Sequence, residues 1–223
     1  MNKAKYYQGS GFLQWLKNIP EGLSRILRGK QNVSSISPFI KELIKLEKST
    51  YDPSSSEVLG WRTILPTERV RVFKKGSQIV IAVRGTDKTN SLDIYDDVLV
   101  AKGSLDKSPR FQELKRIYEA VVAKYPNDEI ILIGHSLGGG MVIELTKYFN
   151  GLKGHVFNPA VNLSNLRSNK YNLKNIQGHI MEHDPLSLTS QFLPNAIKYN
   201  YPFQLTGQAS DHIKAHELDT FLA

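Results

Sequence analysis

The residues Gly134-His135-Ser136-Leu137-Gly138-Gly139-Gly140 put a hydroxyl between small neighbours. On one side lies the apolar run Ile130-Ile131-Leu132-Ile133. On the other, Met141, Val142, Leu145 and Tyr148 recur at helical spacing. A serine on a sharp strand-to-helix turn needs glycine two before and two after, because the backbone is strained there and helix and strand approach closely. Gly134 and Gly138 meet that need. The helix N-terminus directs backbone N–H groups and partial positive charge at any oxyanion formed beside the serine, and the Leu137 amide is the expected first donor.

A serine hydroxyl becomes a nucleophile when a base, usually histidine, takes its proton and a buried carboxylate orients that base. On a strand-turn-helix nucleophile the chain order is Ser, then acid, then His. The acids between Ser136 and the C-terminal histidines are Glu144, Glu182, Asp184 and Asp211. Glu144 falls within the helix after the serine, and Asp211 adjoins His212. Glu182 alternates toward the other side of its strand. Asp184 remains, with Pro185 ending the strand that precedes it. For the base, His135, His155, His179 and His183 lie before or beside that acid, which leaves His212 and His216. The spacing of His179 and His183 would suit a zinc pair on a helix, but they fall on a predicted strand without the glutamate of H-E-x-x-H, so no metal is expected.

The elements that must hold these groups are legible in outline. Ser37-Pro38 to Lys48 reads as a helix with Ser37 as its cap. Residues 69–73 and 78–84 read as strands joined by Lys74-Lys75-Gly76-Ser77, and 109–125 as an amphipathic helix. Strands follow at 155–158 and 175–182. Strands alternating with helices, the central ones apolar throughout, predict an α/β fold with a mostly parallel sheet covered on both faces. The 223 residues suffice for one sizeable core, expected over 37–223 and preceded by a basic amphipathic extension, 1–36.

Composition narrows the function classes. The absence of cysteine excludes disulfides, thiolate metal sites and a cysteine nucleophile, and suits a reducing compartment. No apolar run reaches the ~20 residues of a membrane-spanning helix, and the start lacks a signal-peptide core. A cytoplasmic or peripheral membrane location is therefore expected. The net charge of +8 favours anionic partners. Lys3, Lys5, Lys17, Arg25, Arg28 and Lys30 interleave with Phe12, Leu13, Trp15, Leu16, Ile19, Leu23, Ile26 and Leu27, so residues 1–30 could lie on an anionic lipid surface or pack on their own domain. Nucleic acid has only the charge to recommend it.

Val83-Arg84-Gly85-Thr86-Asp87, followed by Gly134-His135-Ser136-Leu137-Gly138-Gly139, resembles the class 3 lipase family, which includes fungal triacylglycerol lipases. The resemblance runs from about residue 41 to the end and implies the α/β-hydrolase fold. It implies that Thr86 supplies a second oxyanion donor, a place also suited to it at the end of a buried strand. Asp184-Pro185-Leu186 is similar to the family's acid and its loop, and Phe157-Asn158-Pro159-Ala160 to the strand end between serine and acid. Ala215-His216-Glu217-Leu218-Asp219-Thr220-Phe221-Leu222 is similar to its terminal histidine element, which favours His216 over His212. The short interval from serine to histidine and the lack of cysteines depart from the fungal pattern, so a secreted lifestyle and a developed lid do not carry over.

The expectation is a serine carboxylic-ester hydrolase, a lipase or phospholipase on acyl lipids, with Ser136, Asp184 and His216 catalytic, Thr86 and Leu137 at the oxyanion, and no cofactor. Hydrolysis of non-lipid esters, acyl transfer, or a catalytically silent membrane-binding module are the alternatives. The segment 87–105 would form a lid or an acyl-pocket wall.

Overall fold

The structure, a computed structural model, describes residues 30–52, 54–86, 105–161, 171–191 and 193–223. The segments expected to form the basic amphipathic start and the lid or pocket wall therefore lie outside the described residues, apart from their last positions.

Helix α1 (Pro38–Lys48) starts where Ser37 accepts a hydrogen bond from the Ile40 amide. Strands β1 (Glu57–Val58), β2 (Trp61–Pro66), β3 (Val70–Lys75) and β4 (Gln78–Val83) pair antiparallel in turn. Gly76, at φ +58°, makes the tight turn between β3 and β4. Helix α2 (Pro109–Lys124), capped by Ser108, crosses to β5 (Glu129–His135), which pairs parallel with β4. Helix α3 (Leu137–Leu145) leads to β6 (Lys153–Phe157), then β7 (Ile176–Met181), the short helix α4 (Ser187–Ser190) and β8 (Ala196–Tyr199). Helix α5 (Ala209–His216) and a 3-10 helix, Leu218–Leu222, finish the chain.

The eight strands form one sheet in chain order, parallel from β4 to β8. Alternation along the strands splits the core in two. Ile79, Ile81, Val83, Leu132 and Val156 face α2 and α3, packing on Phe111, Leu114 and Met141. Val80, Ala82, Ile131, Ile133, Phe157 and Met181 face α1 and the C-terminal helices, packing on Leu43, Ile44, Leu218 and Phe221. Burial on both faces makes the central strands continuously apolar, as the sequence predicts.

Strands β1, β2 and β8 and the short helix α4 have no counterpart in the sequence reading. They are short or lie at the sheet edges, where Arg62, Pro66 and Lys198 interrupt any apolar pattern. The described part of the N-terminal extension is tied to the domain: Gln31 pairs with Tyr199 at the edge of β8, and Val33 and Ile36 are buried in the second core.

Candidate active site

Ser136 sits where β5 ends and α3 begins, at φ +54° and ψ −123°. A non-glycine residue rarely adopts such a backbone, and the surroundings must hold it there. Its amide donates to the Phe157 carbonyl at 3.1 Å, and its carbonyl accepts from the Gly140 and Ala160 amides at 3.1 and 2.9 Å. The 157–160 segment after β6 thus braces the turn.

The glycines act through closeness. A Cβ on Gly138 would lie 1.9 Å from the Val83 carbonyl oxygen, and one on Gly134 would lie 2.6 Å from Gly138 backbone atoms. Any side chain at 138 would push α3 away from the end of β4. The sequence reading had the helix closing on its own strand; it closes on the neighbouring one as well. A Cβ on Gly85 would meet the His135 carbonyl and the Tyr51 hydroxyl at 2.8 Å and the Ser136 Cβ at 3.2 Å. Residues 85–86 therefore run directly beside the serine, with Thr86 partly exposed and Leu137 buried.

Asp184 follows β7 and is 2% exposed. Its Oδ2 accepts from the Leu186 amide at 3.1 Å, and its Oδ1 lies 2.6 Å from His216 Nδ1. His216, 1% exposed, is the last residue of α5. The helix that follows is a single 3-10 segment, in which Leu218 and Phe221 are buried and anchor the base from behind. His212 is exposed and turns its Nδ1 to the His183 carbonyl, 2.7 Å away.

The remaining acids have other work. Glu144 is buried, paired with Lys147 and bonded by the Tyr171 hydroxyl. Glu182 pairs with Lys30. Asp211 accepts from the Thr206 and Gly207 amides at 2.8 and 2.9 Å and so shapes the turn into α5. His183 adjoins Asp184 in a left-handed conformation, φ +66°. His179 bonds to His155 and to the Tyr199 hydroxyl, inside the sheet rather than beside His183.

Of three polar residues around the serine, Tyr51 and Glu47 escaped the sequence reading, and Asn158 entered it only as part of the strand end between serine and acid. Asn158, fully buried, donates from Nδ2 to the Ala215 and His216 carbonyls at 2.9 and 3.3 Å and accepts from the Met181 amide at 2.8 Å, so it ties the base-bearing turn to the acid-bearing strand. Tyr51 lies 3.1 Å from His135 Nδ1 and accepts from the Gly85 amide at 3.0 Å. Glu47 is fully buried on α1, where its Oε1 accepts from the His135 amide at 3.1 Å. Burial pushes its carboxyl well above the ordinary range, against the lowering effect of the His135 and Val83 amides. The only sequence signal was Glu47 falling on the apolar stripe of α1, three residues after Ile44.

Neither a protein-family model nor a curated protein sequence matches the chain. Among solved structures it is similar to the Rhizomucor miehei lipase in its propeptide complex, at 14% identity and a TM-score of 0.49, covering all of this chain and 92% of the other. Lipase II from Rhizopus niveus matches at 13% identity and 0.47, over 74% and 77% of the two chains. The Lip2 lipase from Yarrowia lipolytica matches at 14% and 0.45, over 78% and 81%. Taken from its own topology, with a strained serine between a central strand and a helix, an acid after a later strand and a histidine near the C-terminus, the chain has the α/β-hydrolase fold.

Proposed function

We propose that the protein is a serine carboxylic-ester hydrolase acting on acyl lipids through an acyl-enzyme, with Ser136, Asp184 and His216 as its triad. The observation that carries this reading is the buried contact of 2.6 Å between His216 Nδ1 and Asp184 Oδ1, beyond the same carboxyl ends of the parallel strands as the strained Ser136. A carboxylate accepting from Nδ1–H holds the imidazole in the tautomer whose Nε2 carries the lone pair.

The steps follow. His216 Nε2 takes the Ser136 proton as Oγ bonds to the ester carbonyl carbon, and the Leu137 and Thr86 amides stabilise the resulting oxyanion. Collapse breaks the bond to the alkoxy oxygen, which leaves as the alcohol with the proton from His216. Water then attacks the acyl-enzyme by the same route, releasing the acid and restoring Ser136. None of these steps calls for a cofactor.

The reading is tested by Ser136→Ala. The variant is expected to keep its fold and lose both p-nitrophenyl ester hydrolysis and labelling by a fluorophosphonate; labelling that persists in the variant would exclude Ser136 as the nucleophile. An anionic membrane surface is the proposed site of action, because residues 1–30 interleave basic and apolar side chains. Removing that segment should weaken binding to anionic vesicles in a salt-sensitive way while turnover of a short soluble ester persists; vesicle binding that is equal with and without it would assign the segment to packing.

A further inference from the structure

We propose that Tyr51 and His135 form a one-way hydrogen-bonded string that positions the two halves of the site, the Gly85–Thr86 loop and the backbone of His216, relative to each other. This rests on the esterase reading for its consequence in catalysis, though not for its existence.

The direction follows from the chemistry of the ends. The string runs from the Gly85 amide to the Tyr51 hydroxyl at 3.0 Å, to His135 Nδ1 at 3.1 Å, and from His135 Nε2 to the His216 carbonyl at 2.8 Å. An amide can only donate and a carbonyl can only accept. His135 must therefore carry its proton on Nε2. Its bare Nδ1 then accepts the Tyr51 proton, and the Tyr51 oxygen accepts from Gly85. Three contacts use three protons, and in neutral His135 only this arrangement satisfies all of them.

Burial, reinforced by Glu47 nearby, pushes the Tyr51 hydroxyl above the ordinary tyrosine range, against the lowering effects of the Gly85 amide, Arg84 and Arg110, so the donor keeps its proton. The Arg84 guanidinium lies over the Tyr51 ring, 5.0 Å from its centre. Arg110, from α2, donates to the Arg84 carbonyl at 2.7 Å. The loop carrying Thr86 is thus gripped from α2 on one side and by Tyr51 on the other. At the far end, the His135 and His216 rings lie 4.7 Å apart, and Asn158 holds the same carbonyl that His135 reaches. Tyr51 and His135 are positioning residues: neither need touch substrate, and both fix groups that do. His135, with Nε2 protonated and directed at a carbonyl, has no proton-accepting role toward Ser136.

Tyr51→Phe removes the hydroxyl and keeps the ring beneath Arg84. With p-nitrophenyl butyrate, kcat is expected to fall by roughly ten- to a hundredfold with KM within about twofold, the scale of a misplaced catalytic group. His135→Asn should fall comparably, and the double variant should fall no further than the worse single one, because one string can be cut only once. Effects that multiply, or a kcat for Tyr51→Phe within twofold of the parent, would overturn the proposal. Histidine 15N NMR of the unaltered protein provides a readout that needs neither activity nor a folded variant. His135 should have its proton on Nε2 and a bare Nδ1; a proton on Nδ1 would overturn the string. If Ser136→Ala and the parent prove equally inert toward fluorophosphonate, the esterase reading fails while the NMR result still decides the string.

Discussion

Two pairs of histidines lie on the same face of the sheet, three of the four rings buried and His155 half-buried, and they have opposite characters. His135 and His216 meet at the carboxyl ends of the parallel strands, with Asp184 on one and Glu47 beneath the other. His155 and His179 sit within β6 and β7, 3.0 Å apart, with His179 stacked on Phe157 and reaching the Tyr199 hydroxyl. Burial pushes His155 down to about 4, and burial together with His155 takes His179 well below the ordinary range. Around the inner pair the contacts among the described residues are rings and one hydroxyl, with no carboxylate to hold an imidazolium. The outer pair lies where loops arrive, and a loop can bring a carboxylate. The two pairs thus differ in what surrounds them: a carboxylate reaches His216 beyond the strand ends, whereas rings enclose His179 within the sheet.

The contrast can be broken most strongly by making the outer pair resemble the inner one. On the proposed triad, Asp184→Asn removes the charge that favours His216 in its base tautomer, and His216→Ala removes the base. The first should lower the rate of acylation by on the order of 10⁴-fold and the second by on the order of 10⁶-fold. His212→Ala should stay within about tenfold of the parent on the strength of its exposed, backbone-directed ring. Loss at His212 with an active His216→Ala variant would transfer the base to His212.

A smaller effect is expected from the inner pair, and on stability alone. Its folded-state affinity for protons is depressed, so the unfolded chain binds protons first as pH falls. Stability is then lost between the ordinary histidine value of 6.5 and about 4. His155 would account for roughly 3 kcal/mol of that acid limb. His155→Phe should flatten the limb in urea melts at pH 7, 5.5 and 4.5 while leaving turnover unchanged; an equally steep limb in the variant would locate the acid sensitivity elsewhere.

The last effect, a slope in stability with pH, has the opposite sign. Glu47 is raised in the folded state, so the unfolded chain releases its proton first, and stability falls as pH climbs above the ordinary value of 4.5. The slope from one such group is at most about 1.4 kcal/mol per pH unit. Glu47→Gln retains an oxygen for the His135 amide and should remove this slope, gaining on the parent as pH rises. A difference between the two proteins that does not vary with pH would mean that Glu47 is ionised in the fold.

What the sequence by itself determined is local. The turn around Ser136 is readable because its glycines, apolar strand and helix are contiguous, and periodicity decides α1, α2 and the buried strands. Asp184 came from the order of acids along the chain. The choice of His216 over His212 needed the terminal motif, since both histidines precede the same short apolar element. Tertiary structure alone decided that Glu47, Tyr51 and Asn158 crowd around the serine, because each lies on a different element and neither a place on an apolar stripe, for Glu47, nor one at a strand end, for Asn158, says what the side chain touches. Glu47 is only a carboxylate on an apolar stripe until α1 is laid across the end of β5, and Tyr51 reads as a loop residue until the Gly85 amide reaches it. Hydrogen bonds between residues 34 to 88 positions apart, such as Tyr51 to Gly85 and Glu47 to His135, leave no pattern in a linear chain; they exist because folding brings those groups to one place and burial obliges each to find a partner.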